Sequence, residues 1–108
     1  MITQTLKNAA RALGYDLWSD PDGSHYLVDY DGVKLKRWDP EHSSEDSFEL
    51  MIGLKIDIDQ RPGFGNVCAS DGGRYMLSWF EYTGNLAQDT RAAILLCAAQ
   101  IGESLCQS

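Results

Sequence analysis

The chain has 108 residues, of which 44% are hydrophobic, 10% aromatic and 23% charged, a composition typical of a globular protein. We therefore predict a single globular domain over residues 1–108, with one hydrophobic core. No apolar run approaches the ~20 residues that a membrane span needs, and the first residues lack the basic and apolar blocks of a signal peptide. These features predict a cytoplasmic protein with no membrane contact.

The charge is unevenly distributed along the chain. Sixteen acidic and nine basic residues give a net charge of −7, and the segment from Asp16 to Asp59 has twelve acids against four bases. Nucleic acids would be repelled, because their binding depends on Lys and Arg side chains that displace counterions from phosphates. A protein partner with a basic surface would be attracted. The alternative is that the acidic face only keeps the protein soluble.

The first half of the sequence predicts one helix followed by three antiparallel strands. Apolar residues spaced by three and four positions indicate a helix over residues 2–13, ended by Gly14. Turn signals at residues 19–23 and at Asp31-Gly32 then delimit three strands, over residues 15–19, 25–30 and 33–38.

The second half predicts a helix, three more strands and a final helix. Asp39-Pro40 ends the third strand, because proline lacks the donor that a sheet requires. Ser43 and Asp46 form a capping box for a helix over residues 44–55, with Phe48, Met51 and Ile52 on one face. Strands over 56–59, 66–70 and 74–82 precede a helix over 87–106. The predicted fold class is α+β, with about three helices and an antiparallel sheet of four to six strands, in the order α-β-β-β-α-β-β-β-α.

Two sequence blocks resemble a family of small phage and prophage proteins. Trp38-Asp39-Pro40, followed by residues 46–56 (DSFELMIGLKI), resembles that family's W-[ND]-P … D-A-x-x-L-x-x-x-L-x-[IL] block. Residues 89–94 (DTRAAI) and 98–102 (AAQIG) are similar to its closing helix. The resemblance covers about a third of the chain and implies a phage α/β/α-sandwich domain of unknown function, present in a bacterial host cell. The shared residues have the character of fold determinants, with Trp38 as a sheet-edge anchor and Thr90 as a helix cap.

The segment between the third strand and the second helix is a candidate metal or acid–base site. Carboxylates and a histidine close in sequence can supply the oxygen and nitrogen ligands of a divalent cation. The alternative is that the acids only complement the positive end of the helix. The candidate residues are Asp39, Glu41, His42, Glu45 and Asp46. No other motif indicates a cofactor or a catalytic nucleophile.

Nine aromatic residues lie on predicted strands or at their ends. Tyr and Trp side chains commonly anchor protein interfaces, but in a sheet covered on both faces the same residues would form the core. Both interpretations remain open. Combined with the acidic segment, they give a candidate interaction surface that contains Asp39, Glu41, Glu45, Asp46, Glu49, Trp18, Tyr30 and Trp38.

These observations predict a phage or prophage accessory protein that binds another protein. The expected partner is a host or phage protein with a basic surface, for instance a nucleic-acid-handling complex of host defence that the acidic protein inhibits. This expectation is associational, because it depends on the resemblance and on charge. The alternatives are a metal-dependent enzyme or regulator that uses the Asp39–Asp46 segment, and a homo-oligomeric structural module.

Overall fold

The computed structural model describes residues 3–29, 31–61, 66–70, 77–81 and 85–106. Within these residues the chain forms three helices and six strands, in the predicted order. The helices are α1 (Thr3–Ala12), α2 (Ser44–Leu54) and α3 (Leu86–Cys106). The strands are β1 (Asp16–Ser19), β2 (His25–Val28), β3 (Lys34–Arg37), β4 (Asp57–Arg61), β5 (Asn66–Ser70) and β6 (Leu77–Glu81). The α+β class is therefore confirmed.

The prediction of one sheet with four to six strands is wrong. The described strands form two antiparallel sheets of three strands each, in the orders β1-β2-β3 and β4-β5-β6. Each sheet is built from strands that follow one another in sequence, so that every pairing is local. The physical reason for the division is the segment between β3 and β4, where Asp39-Pro40 interrupts the strand and α2 is inserted.

The first sheet contains an irregularity that places Lys34 and Lys36 of its third strand on opposite faces of the sheet. Leu27 pairs with Lys36, whereas the next residue, Val28, pairs with Lys34, so that Leu35 is left between the two pairs. An extra residue of this kind is a β-bulge. Lys36 therefore shares a sheet face with Leu27, and Lys34 shares the opposite face with Val28. Through this arrangement Lys36 reaches α2, as described below.

The helices begin and end at residues with recognisable capping chemistry. Ser43 caps α2, because its Oγ accepts a hydrogen bond from the Asp46 backbone N–H at 3.2 Å. Lys55 ends the helix in the left-handed conformation with φ of 55°. At the start of α3, Asn85 Oδ1 accepts from the Gln88 N–H at 3.0 Å. The predicted capping role of Thr90 is wrong, since Thr90 lies inside α3 and its hydroxyl donates to the Leu86 carbonyl at 2.7 Å.

Helix α3 lies at the centre of the structure. It packs against α1, α2 and the three strands of the second sheet. Its small residues permit a close approach to α1, where Ala9 and Ala10 are fully buried. Most of the buried hydrophobic residues form one cluster, which includes Leu6, Leu27, Trp38, Leu50, Ala69 and Leu95.

Candidate functional site

The predicted acidic segment is an internally bonded turn that connects β3 to α2. One carboxylate oxygen of Asp46 accepts the backbone N–H of Asp39 at 2.8 Å. The other lies 3.2 Å from Lys36 Nζ. Asp46 is thus the residue that fixes the start of the helix to the end of the strand, and only 14% of its side-chain surface is exposed.

Lys36 neutralises part of the predicted acidic surface. Its ammonium group contacts the carboxylates of both Glu49 and Asp46. The hydrogen bond to Glu49 is the main cause that raises the pKa of Lys36, with the Asp46 interactions adding to it against the opposing effect of burial. A basic partner would therefore find Asp46 and Glu49 already paired with a cation of this chain.

The remaining members of the turn have separate contacts. His42 Nδ1 lies 3.1 Å from both carboxylate oxygens of Asp39. The guanidinium of Arg91 donates from Nε to the main-chain carbonyl of Glu41 at 2.9 Å and from Nη1 to Ser44 Oγ at 3.0 Å. Through these bonds Arg91 attaches the turn to α3.

The geometry does not support the metal-dependent alternative. Within the described part of the chain, no group of three or more His, Cys, Asp or Glu side chains is arranged to hold a metal ion. Asp46 faces a lysine ammonium and a backbone N–H, and Asp39 faces His42. The charge of Asp46 that a cation would neutralise is already compensated by Lys36.

Helix α2 has two faces with different chemistry. Ser47 and Leu50 are buried, with Met51 and Leu54 packed half-buried beside them. The opposite face carries four exposed side chains, which are separated by three, one and three residues, as the inward-facing residues are. We name these four residues the outer stripe: Glu45, Phe48, Glu49 and Ile52. Phe48 and Ile52 are each 57% exposed. The outer stripe therefore presents two large apolar side chains that alternate with two carboxylates along the helix.

The prediction that Phe48, Met51 and Ile52 share one face of α2 is wrong. Met51 packs against the core, whereas Phe48 and Ile52 are exposed. Both stripes have helical spacing, so periodicity alone does not distinguish them. The available signal is that Glu45 and Glu49 belong to the stripe of Phe48 and Ile52, because glutamate side chains are rarely fully buried.

Of the three aromatic residues of the predicted surface, one is buried, one is exposed, and one lies outside the described residues. Trp38 is only 1% exposed and belongs to the cluster of buried core residues. It is therefore removed from the candidate surface. Trp18 is 51% exposed, donates to Asp20 at 2.7 Å, and has Lys34 Nζ 5.1 Å from its ring centroid. Tyr30 lies outside the described residues.

A groove of about 270 Å³ adjoins the outer stripe. It lies between α2, α3 and β4, and Phe48 forms part of its wall together with Met51, Ile58, Ala87 and Ile94. The groove meets the outer stripe at Phe48, so that an apolar groove adjoins a stripe of alternating apolar and acidic side chains. Such a surface is typical of protein-binding sites.

Comparison of the chain with models of protein families, with curated proteins and with solved structures finds no match. Among the helices of the described residues, none has both the length and the hydropathy required to cross a membrane.

Proposed function

We propose that this chain is a phage or prophage accessory protein that acts by binding another protein, and that the outer stripe of α2 is its contact surface. The observation that carries the proposal is the exposure of Phe48 and Ile52, 57% each, on the same helix face as Glu45 and Glu49. Large apolar side chains in this position have no role in the core. Exposure of these apolar side chains to water is unfavourable in free energy, and a partner that covers them removes that cost.

The chemistry of the outer stripe defines the partner. Its two apolar side chains require an apolar patch opposite, and its carboxylates favour Lys and Arg side chains of the partner. The net charge of −7 extends this preference beyond the contact itself, because a negative field accelerates association with a basic protein. Glu45 is the most favourable acid for such a contact, since Asp46 and Glu49 already interact with Lys36.

A basic protein that handles nucleic acid fits these requirements. An acidic protein can occupy the surface on which such a protein binds phosphates, and so inhibit it. The resemblance to phage proteins supports a partner in host defence, in the cytoplasm of a bacterial cell. In this proposal the chain needs no metal or cofactor, and it does not bind nucleic acid directly.

The test is a capture experiment with two matched double variants. The Phe48→Ser/Ile52→Ser variant removes the apolar part of the outer stripe. The Val33→Ser/Leu35→Ser variant, called the β3 variant, removes two side chains of similar exposure, 55% and 48%, one just before β3 and one within it. Each protein is immobilised, exposed to lysate of a bacterial host, and the bound proteins are identified by mass spectrometry.

We expect the wild type and the β3 variant to retain one stoichiometric, basic, nucleic-acid-handling protein. The outer-stripe variant should bind it at least about tenfold more weakly, because central apolar side chains dominate interface energies. Retention of the same partner by the outer-stripe variant would contradict the proposal. Light scattering on the three proteins separates the homo-oligomeric alternative, in which the wild type is a dimer or larger and the outer-stripe variant is a monomer.

A further inference from the structure

A second cavity is formed by residues of α1, β1 and β2, on different elements from the outer stripe. Its volume is about 350 Å³. We name it the basic pocket, and it is lined by Lys7, Arg11, Asp16, Leu17, Trp18 and Val28. Two cationic side chains and one carboxylate give its wall a net positive charge, in a chain whose net charge is −7. The basic pocket therefore favours an anion, although the chain as a whole repels one.

The two cations of the basic pocket lie on one face of α1. Lys7 and Arg11 are both exposed and are four residues apart, so that they are neighbours on the helix surface. Arg11 Nη1 donates to Asn8 Oδ1 at 3.2 Å, and the same oxygen accepts from Gln4 Nε2 at 3.1 Å. These bonds help to hold the guanidinium at the wall of the pocket. Guanidinium and ammonium groups are the side chains that most commonly bind phosphate.

Trp18 gives the basic pocket an aromatic surface that is held in one orientation. The residue is 51% exposed. Its indole N–H donates to Asp20 Oδ1 at 2.7 Å, and Lys34 Nζ lies 5.1 Å from the ring centroid. Because these contacts restrict rotation of the ring, less conformational entropy is lost when a ligand packs on it. An exposed and fixed indole is a surface on which the planar rings of nucleobases stack.

Asp16 restricts the ligand to a ring that carries N–H donors. Its side chain is exposed and lies on the same side of β1 as Trp18, two residues later. An ionised carboxylate only accepts hydrogen bonds, so that it repels carbonyl and phosphate oxygens. Guanine fits this requirement best, because its N1–H and 2-amino groups are neighbouring donors, whereas an acceptor adjoins each donor on the same edge of the other common bases.

We propose that the basic pocket binds one guanine mononucleotide. Lys7 and Arg11 bind its phosphate. The base packs on Trp18, and the two donors of the guanine edge bond to Asp16. The volume of about 350 Å³ lies in the range of about 300–1,000 Å³ that is usual for small-molecule sites. A nucleic-acid strand would bring further phosphates against the net negative charge of the chain.

The first experiment titrates guanosine 5′-monophosphate (GMP), guanosine and ribose 5-phosphate into the ¹⁵N-labelled protein. The amide resonances of Leu17 and Val28 and the indole N–H resonance of Trp18 report binding by NMR. The indole of Trp38, which is 1% exposed, is the internal control. We expect GMP to shift the three pocket resonances. Guanosine and ribose 5-phosphate should each bind at least about tenfold more weakly, because each lacks one part of the contacts.

Variants with one fewer positive charge test the phosphate contact. Arg11→Gln should weaken GMP binding about tenfold and leave guanosine within about twofold, because a charge-assisted hydrogen bond to the phosphate is lost. Lys7→Gln should have the same selective effect, so that the result does not depend on one variant. Lys55→Gln, at the exposed end of α2 and outside the pocket, should change neither affinity. The circular dichroism of each variant verifies that it is folded.

Inosine 5′-monophosphate (IMP), which lacks only the 2-amino group of GMP, tests the contact with Asp16. The wild type should bind GMP about fivefold more tightly than IMP, the ratio that one net hydrogen bond provides. Asp16→Ala should reduce this preference to within about twofold, because the acceptor of the amino group is removed. Both nucleotides carry the same phosphate, so that the change of charge at Asp16 affects them equally.

Four results would overturn this inference. They are an absence of shifts at the pocket amides, equal affinities for GMP and guanosine, a preference for GMP over IMP that survives Asp16→Ala, and tighter binding of a single DNA strand of about ten nucleotides than of GMP. The last result would assign the basic pocket to nucleic acid. The proposed function is decided separately, by partner capture with the Phe48→Ser/Ile52→Ser variant.

Discussion

Gly102 of α3 lies directly against the main-chain carbonyl of Asn8 in α1. A Cβ atom placed on Gly102 would be 1.7 Å from the Asn8 oxygen and 2.6 Å from its carbonyl carbon. The two helices approach each other this closely because the residues between them are small, including Ala9 on α1 and Ala98 on α3, which are both fully buried. The contact fixes α1 on the helix that organises the core.

The Gly102→Ala substitution should therefore destabilise the protein by about 3 kcal/mol or more, because a backbone atom cannot move aside as a side chain can. Gly53→Ala in α2 is the matched control. Its Cβ would meet only Leu13 Cδ2, at 2.9 Å, and alanine favours the helix by about 1 kcal/mol, so its effect should be near zero. Urea unfolding followed by far-ultraviolet circular dichroism measures both. Equal losses in the two variants would show that the helices are not in contact at Gly102.

Because Leu50 and Phe48 lie on different faces of α2, we expect their substitution by alanine to lower the free energy of unfolding by different amounts. Leu50 has no exposed surface, and Leu50→Ala should cost about 2–4 kcal/mol through lost burial and the cavity that remains. Phe48→Ala should cost less than about 1 kcal/mol, because the ring is more than half exposed in the free protein. The free energies of unfolding of both variants test this order. A larger loss for Phe48→Ala would place Phe48 in the core and remove it from the binding surface.

Lys36 makes the stability of the turn depend on pH in the alkaline range. Its bonds to Glu49 and then to Asp46 raise its pKa above the ordinary 10.5. A lysine with a raised pKa in the folded state stabilises fully below its unfolded-state pKa, and the contribution is lost as the pH rises through the folded-state value. Lys36→Met should cost about 0.5–1 kcal/mol near pH 8, discounted for partial exposure, and less near pH 11.

Chemical unfolding of the wild type and of Lys36→Met at the two pH values measures this change. Lys7→Met, at an exposed position on α1, corrects for the general effect of removing one positive charge. A cost of Lys36→Met that is the same at both pH values would mean that its stabilising contribution comes from packing of its aliphatic stem and not from its charge.

The sequence defines the helices and strands of this protein well because their boundaries depend on local chemistry. Gly32, with φ of 84°, ends a predicted hairpin turn in a conformation that favours glycine, and Ser43 caps α2 as its spacing with Asp46 predicts. These residues act within a few positions of themselves, so no knowledge of the tertiary structure is needed to recognise them.

What could not be predicted depends on contacts between distant segments. The sequence pattern contains six strands but does not say that β3 and β4 belong to separate sheets. It contains Trp38 but does not show that this side chain belongs to the buried core cluster. The acids of the candidate surface are visible in the sequence, whereas the pairing of Asp46 and Glu49 with Lys36 depends on the bulge at Leu35. The outer stripe can be recognised only when it is known which face of α2 packs on the core.

If the outer stripe is the interface, the association rate with the partner should depend more on the position of a negative charge than on the net charge of the chain. Glu45→Lys, on the outer stripe, and Glu103→Lys, at an exposed position on α3, change the net charge of the chain equally. Glu45→Lys should lower the association rate with the captured partner about tenfold at low ionic strength, and Glu103→Lys much less, because attraction is strongest near the contact. Surface plasmon resonance at about 50 mM and 500 mM salt measures both rates. The difference between the variants should disappear at high salt; equal effects at low salt would assign the attraction to the overall field of the protein and remove Glu45 from the interface.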